Sequence, residues 1–429
     1  MATVVEKSLT AILVPIMVPF VIVMYVIKLF TKGEKFSQFF EDADMMAEAD
    51  AHFERITAEI VDTTPSLDQH AKYKARARAL IEREDWVTLA DWMTDLDQQR
   101  TVCEANLSLS DTVLEDTLET LSIDIFEGHA CHPDPILHFD IETAEKLESL
   151  SLQHPQHYPL RVIAAHIRCY QGWTYRGADY AAYVSDDGWH GMGSLFGQAQ
   201  MLLRDVDPVE MNAPMIAAAR HKLLAFMPNA HSHVQRFYRE WTALDPKNQT
   251  PHRRHAMMML PRWFGSQTDL ENAAAEAAAA THMLTGDAAY FTMYRTVLDD
   301  WDPHVLAMNM DRFAQGAHDF LTLRGNDPAV VSHLISTMAW WSAIGSARGL
   351  TKAQKVKRKE LSNGFKSLSK DLIRTRLTAI YPPAWKNGAE ECQFEILTAC
   401  KEEVDAGFEM TLGPNGIAFA DPQGDALTP

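Results

Sequence analysis

The sequence predicts an all-α chain: a solenoid of antiparallel helix pairs behind an N-terminal transmembrane helix, with a small β-hairpin near the C-terminus. Three observations predict it. Apolar residues recur at spacings of three and four over most of the chain, and few runs alternate with period two. Asp-Pro pairs punctuate the middle at helix-pair intervals, at Asp207-Pro208, Asp245-Pro246, Asp302-Pro303 and Asp327-Pro328. Residues 8–27, SLTAILVPIMVPFVIVMYVI, carry no charge.

That first segment is apolar all round and, at about 1.5 Å per residue, covers the roughly 30 Å of bilayer hydrocarbon. It runs straight into Lys28 and Lys32 without a small-x-small cleavage site, so it reads as an uncleaved anchor. Lys28, Lys32 and Lys35 outweigh Lys7 and place the bulk of the chain on the cytoplasmic side of a bacterial inner membrane; the alternative is the periplasmic face. A second alternative makes residues 8–27 a buried helix of a soluble helical-repeat protein.

The expected units are an anchor (1–35), a helical N-terminal region (36–150), a helical-repeat domain (151–345), basic and then amphipathic C-terminal helices (346–408) and a hairpin with a disordered tail (409–429). Over residues 41–61, Met45, Ala49, His52, Phe53, Ile56 and Ile60 share one helical face. Each Asp-Pro marks a helix boundary, because proline moves the residue before it out of the α region and itself fits a first helical turn. Helix pairs of this kind cannot bury their apolar faces singly and stack on their neighbours. The four glycines of GWHGMGSLFG (188–197) read as an interhelical loop. GPNG between two short apolar runs at 409–420 reads as a hairpin.

The stretch LPRWFGS (260–266) reads as a helix–helix joint. Ser266 before Asp269 matches an N-cap pattern, Gly265 supplies a positive φ, and Trp263 and Phe264 have the bulk to set an interhelical angle. Together with GWTYRGADYAAYV (172–184) and ALDPKN (243–248), it resembles a bacterial domain-of-unknown-function family with a tetratricopeptide-like (TPR-like) array. Members of that family carry a Trp-x-x-Arg-Gly element and a later Pro-x-Trp-Gly-Gly-Ser element. The similarity spans about residues 155–345, with Phe264 in place of the first glycine of the second element. The resemblance implies a helical-repeat fold and brings no catalytic residue.

Composition narrows the function. With 39 basic and 58 acidic side chains the net charge is −19, which disfavours nucleic acid as a partner. Five scattered cysteines signal neither a disulfide framework nor a zinc finger. No cofactor motif is present. The cluster GHACHPDPILHFD offers His129, Cys131, His132, Asp134, His138 and Asp140 as metal ligands without a recognisable spacing, and so reads as a polar loop; a metal-dependent enzyme built on it is the alternative function. His252 and His255, with His231 and His233 nearby, read as solvated helix surface.

The stretch Arg348–Arg376 holds ten Lys or Arg against Glu360 and Asp371. It is suited to anionic lipid, to an acidic partner, or to pairing with the chain's own Glu41-Asp42-Asp44. The expected function is a membrane-anchored interaction scaffold for a protein partner. Arg176, Trp241, Arg262 and Trp263 are expected to line its groove or hold its fold, with Arg176 clamping a carboxylate or sitting in a buried ion pair.

Overall fold

A computed structural model describes residues 53–126, 136–177, 179, 181–266, 268–298, 303–343, 350–421 and 426–427. Short polar side chains and prolines start most of its helices. Thr64 accepts from Leu67 N–H and precedes Pro65 at the head of α1 (Pro65–Glu82); Asp85 caps α2 (Trp86–Gln98) and Ser108 caps α3 (Leu109–Leu121). Asp140 accepts from Thr143 N–H to start α4 (Ile141–Gln153), and α5 (Tyr158–Arg176) follows with Pro159 in its first turn. Ser185 caps α6 (Asp186–Leu202). Pro214 opens α7 (Pro214–Leu223), which precedes α8 (Ala230–Leu244), and Pro251 lies in the first turn of α9 (Thr250–Met258).

Then come α10 (Asp269–Thr285), α11 (Ala288–Val297), α12 (Met310–Leu323) and α13 (Pro328–Ala343). Thr351 and Gln354 form a reciprocal capping box on α14 (Lys352–Arg376), before α15 (Ala389–Ala399) and α16 (Lys401–Asp405). The described chain is therefore mostly helical, and most helices pack on the next one or two in sequence. Two of the Asp-Pro pairs sit at helix ends: Asp245 follows α8, and Pro328 begins α13. Asp207-Pro208 makes a turn instead, in which Asp207 Oδ1 accepts from the N–H groups of Val209 and Glu210 at 2.9 and 3.0 Å.

Strands are short. β1 (Ile56–Thr57) pairs in parallel with β4 (Glu409–Gly413), while β2 (Asp124–Phe126) and β3 (Ile136–His138) form a separate antiparallel ladder. β5 (Gly416–Ala420) turns back on β4 with Gly413 opposite Gly416, giving the expected hairpin; Gly416 has φ +93. β6 (Ala426–Leu427) pairs with β5, so the tail expected to be disordered adds a strand. The helix expected over 41–61 does not continue to its end. Ile56 pairs with Met410, and Ile60 bridges to Ile380, so tertiary pairing overrides the local helical period. Residues 41–52 lie outside the described residues.

Among the described residues no helix is long and apolar enough to cross a membrane. Most of the helices are one-sided, burying one face and exposing the other, while α5 and α11 are buried on nearly every side. The expected single-pass inner-membrane location is corrected on this finding, and residues 8–27 lie outside the described residues.

The apolar core falls into two clusters. One gathers Ala77 to Leu223 from α1–α7, and the other runs from Leu224 to Leu412 and includes Ile56. Met227, Trp263 and Val330 pack against both. Polar ties reinforce the join. Arg324, 6% exposed, donates to the carbonyls of Ala105 and Asn106, and Asn106 Nδ2 returns a bond to Leu323 O at 2.6 Å. Arg100 donates to Asp97 O, to Leu244 O at the end of α8, and to Asn212. These guanidiniums satisfy carbonyls that helix ends and turns leave open.

Asp97 is 2% exposed, accepts from Tyr158 Oη at 2.8 Å and from Met215 N–H at 3.0 Å, and so ties α2, α5 and α7 together. Burial pushes its carboxyl up to about 7, against the hydrogen bonds from Tyr158 and Met215 that lower it. The unfolded value is near 3.9, so this contribution to stability is complete below about pH 4 and declines as pH rises to 7. Urea unfolding at pH 5 and pH 8 is expected to show the wild type losing about 2–3 kcal/mol more than Asp97→Asn over that interval; equal losses would refute the assignment.

Candidate functional site

Four helices each turn one stripe toward a common cavity of about 110 Å³. α3 contributes Asp111, Leu114, Glu115 and Leu118; α5 contributes His166, Tyr170 and Trp173; α7 and the turn after it contribute Ala218, His221, Lys222 and Ala225; and α9 contributes Thr250, Arg254, Met257 and Met258. These are helical spacings of three, four and seven, so each stripe is one face of its helix. Trp241 of α8 and Trp263 of the following joint complete the wall.

The lining is graded. At one end the Asp111 carboxylate accepts from Asn248 Nδ2 at 3.3 Å and Thr250 Oγ1 at 3.4 Å, and burial raises its pKa. In the middle, Lys222 Nζ lies 3.6 Å from the centroid of the Tyr170 ring and donates to His166 Nδ1 at 3.3 Å. Burial, and then the positive charges of Lys222 and Arg254, hold His166 well below the usual imidazole range. Beyond them Trp173 meets Trp263 edge to face, with ring centroids 6.2 Å apart.

His221 of the cavity wall belongs to a buried histidine cluster. His221 is 2% exposed and stands 5.7 Å from the Trp241 ring; burial, with Arg254 nearby, presses its pKa down to about 3. Tyr238 Oη is hydrogen-bonded to His252 Nδ1 at 2.7 Å, and the Tyr238 ring stacks on His255 at 3.9 Å. His252 and His255 are fully buried, which corrects their reading as solvated surface. Every charged state of these rings is desolvated, so they are neutral near pH 7. His231 is exposed on α8, as expected, whereas His233 is half-buried there and stacks on Phe237 with ring centroids 5.7 Å apart.

The structure divides the predicted residues. Trp241 and Trp263 meet in the cavity, whereas Arg176 is placed elsewhere. It donates to the carbonyls of Gly177 and Asp179 at 3.0 and 2.8 Å and lies over the Trp173 and Trp189 rings, so it closes the end of α5 and clamps no carboxylate there. Arg262 is exposed on the joint. The joint itself is built by close approach. Phe264 N–H donates to Met258 O and Gly265 N–H to Leu260 O, and a Cβ on Gly265 would stand 1.9 Å from Met259 O. Gly265 is thus required by contact and does not have the expected positive φ. Ser266 is not the N-cap, which is Thr268; instead Ser266 N–H donates to Asp269 Oδ2 at 2.6 Å.

The glycine run 188–197 lies inside α6 and is not a loop. A Cβ at Gly191 would meet Tyr175 at 2.7 Å and one at Gly193 would meet Phe226 at 2.8 Å, so the glycines admit aromatic side chains against the helix. His129, Cys131 and His132 lie outside the described residues. The segment holding them joins β2 to β3, not two helices, and Asp140 is occupied as the cap of α4. Among the described residues no group of three His, Cys, Asp or Glu could hold a metal ion, and Cys103, Cys169, Cys392 and Cys400 are buried free thiols. Of the basic stretch, Arg374 pairs with Glu403, Lys357 with Glu360, and Arg376 donates to Asn326 Oδ1 at 3.0 Å; residues 41, 42 and 44 lie outside the described residues.

Of the residues that line the cavity, sequence reasoning named Trp241 and Trp263 and none of the charged ones. The available signal was the pattern His166-Tyr170-Trp173, one polar and two aromatic residues on a single helix face.

Burial holds His252 down to about 4, whereas an unfolded chain takes up the proton near 6.5, so its stabilisation is present above that value and lost as pH falls toward 4. Tyr238 and His255 face it, with His221 and Arg239 adjoining through His255. Between pH 7 and pH 5 the wild type is expected to lose about 2 kcal/mol more than His252→Gln in urea unfolding; parallel profiles would contradict the depressed value.

Comparison with family models, with curated proteins and with solved structures gives no match to this chain.

Proposed function

We propose that this protein is an interaction scaffold of TPR-like helix pairs, and that it recognises its partner by receiving a group of that partner into the four-helix cavity. The observation that carries the reading is the meeting of Trp173, Trp241, Trp263 and Tyr170 around one void. Concave sites lined by aromatic side chains, with a few placed polar groups, are the usual form of a recognition pocket. Tryptophan, tyrosine and arginine dominate binding energy at interfaces, because they bury large area at low entropic cost. Packing of each helix on its near neighbours in sequence supports a repeat architecture, in which the cavity is a local widening between successive pairs.

The charge distribution fits the same reading. The bound group would enter a wall that carries Lys222 and Arg254 beside Asp111 and Glu115, so polar groups of both signs are placed among the aromatic rings. The exposed lysines of α14 supply a second basic face that a large acidic partner could also touch.

A diazirine side chain placed at Met258, which lines the cavity, is expected to give a recurrent crosslinked adduct in cells, and the same group at Met283, 94% exposed, is not. The Met258 adduct should fall at least fivefold in a Trp241→Phe background. Equal adducts from both positions, or none from Met258, would count against the cavity as the recognition point.

A further inference from the structure

We infer that the group received by the cavity is uncharged and apolar, and no larger than a single six-membered ring. This rests on the cavity being the recognition point, as proposed above.

The charges of the wall are the first observation. Lys222 and Arg254 share it with Asp111 and Glu115, so neither sign is in excess. Each of the four is already engaged. Lys222 is held by the Tyr170 ring face and His166 Nδ1, Asp111 accepts from Asn248 and Thr250, and Glu115 and Arg254 have partners as well. His166 and His221 are kept neutral by burial and by the positive charge near them. An anion entering here would face Asp111 and Glu115, and a cation would face Lys222 and Arg254. Either would give up its water without a free counter-charge in exchange, which is costly. A neutral group meets neither penalty.

The apolar surface is the second observation. Leu114 and Leu118 of α3, Met257 and Met258 of α9, and Ala218 and Ala225 line the void together with the aromatic side chains. The two alanines are seven residues apart and begin and end the stripe that α7 and the turn after it present. The stripes of α3 and α5 carry leucine, tyrosine and tryptophan, so the shortfall in bulk at Ala218 and Ala225 leaves the room. Both alanines keep accessible surface. The methionines can adapt their unbranched side chains to a guest.

The volume sets the size of the guest. A dry cavity of about 150 Å³ holds a benzene ring. The void here is about 110 Å³ with an open mouth, which takes one ring or a branched aliphatic chain and not a fused pair of rings. Such a guest removes apolar surface from water on both sides of the contact. Tyr170, Trp173, Trp241 and Trp263 offer it ring faces and edges.

Two sources carry this chemistry: a small free molecule, and an apolar side chain of a partner protein. Ligand-observed NMR and tryptophan fluorescence on the full chain separate them at neutral pH. The probes are toluene, benzylamine, phenylacetate, 3-methylindole and the blocked peptide acetyl-Gly-Phe-Gly-amide. The expected result is saturable binding of toluene, at least tenfold tighter than benzylamine or phenylacetate, which carry the same ring with a charge of either sign. Toluene should also exceed 3-methylindole at least tenfold. Ala218→Phe, which fills the void, should abolish toluene binding with wild-type circular dichroism; if that variant does not fold, Ala225→Leu is expected to weaken binding at least tenfold. Binding of the peptide assigns a partner side chain. Binding of toluene without the peptide assigns a free molecule, and then the scaffold reading falls while this inference stands. If a charged congener or 3-methylindole binds as tightly as toluene, the assignment is overturned while the cavity reading stands. If no probe binds, or if a folded Ala218→Phe binds toluene unchanged, both fall.

Discussion

The arrangement of the molecule depends on one backbone contact. At the joint between α9 and α10 the chain passes so close to Met259 that no side-chain carbon fits on Gly265. The hydrogen bonds from Trp263, Phe264 and Gly265 back to Leu260 and Met258 hold that approach. It seats Trp263 between the two apolar clusters, where it packs against both and meets the edge of Trp173. The same indole is a wall of the cavity. A joint that set only an interhelical angle could be built in many ways. This one positions a single side chain to serve packing and recognition together.

A second theme is how helix ends and turns are satisfied. Arg100, Arg176 and Arg324 each direct a guanidinium onto backbone carbonyls, and each is fixed by several donors acting at once. Arg324 does so at a cost visible in its own acidity, since burial lowers its pKa to about 10. These arginines are structural because their donors are used on carbonyls of the chain. Lys222 differs in kind: it is partly buried, yet it is met by a ring face and an imidazole nitrogen.

Much of the helical framework was legible from local chemistry. Ser and Asp caps, prolines in first turns, and the Asp245 and Pro328 boundaries follow rules that act over a few residues, as does the GPNG hairpin. What failed was set at long range. Ile56 is a strand because Met410 pairs with it, and the α6 glycines are helical because Tyr175 and Phe226 fill the space they leave. His252 and His255 look like surface beside Arg253 and Arg254, but the helix turns that pair inward against Tyr238. The cavity draws its lining from α3 to the joint at Trp263, so no short window contained it. Trp241 and Trp263 stood out by size, while Lys222 and His166 acquire meaning only from each other.

The central claim is that the four-helix cavity is a preformed recognition site walled by aromatic side chains. The most direct measurement is a crystal structure of the full chain, grown without carboxylate or phosphate and determined at a resolution that shows ordered water. The account predicts an open void between α3, α5, α7 and α9 that holds ordered water, with Trp263 seated against Trp173. A collapsed void, with Trp263 turned away from Trp173 and its space filled by neighbouring side chains, would contradict it.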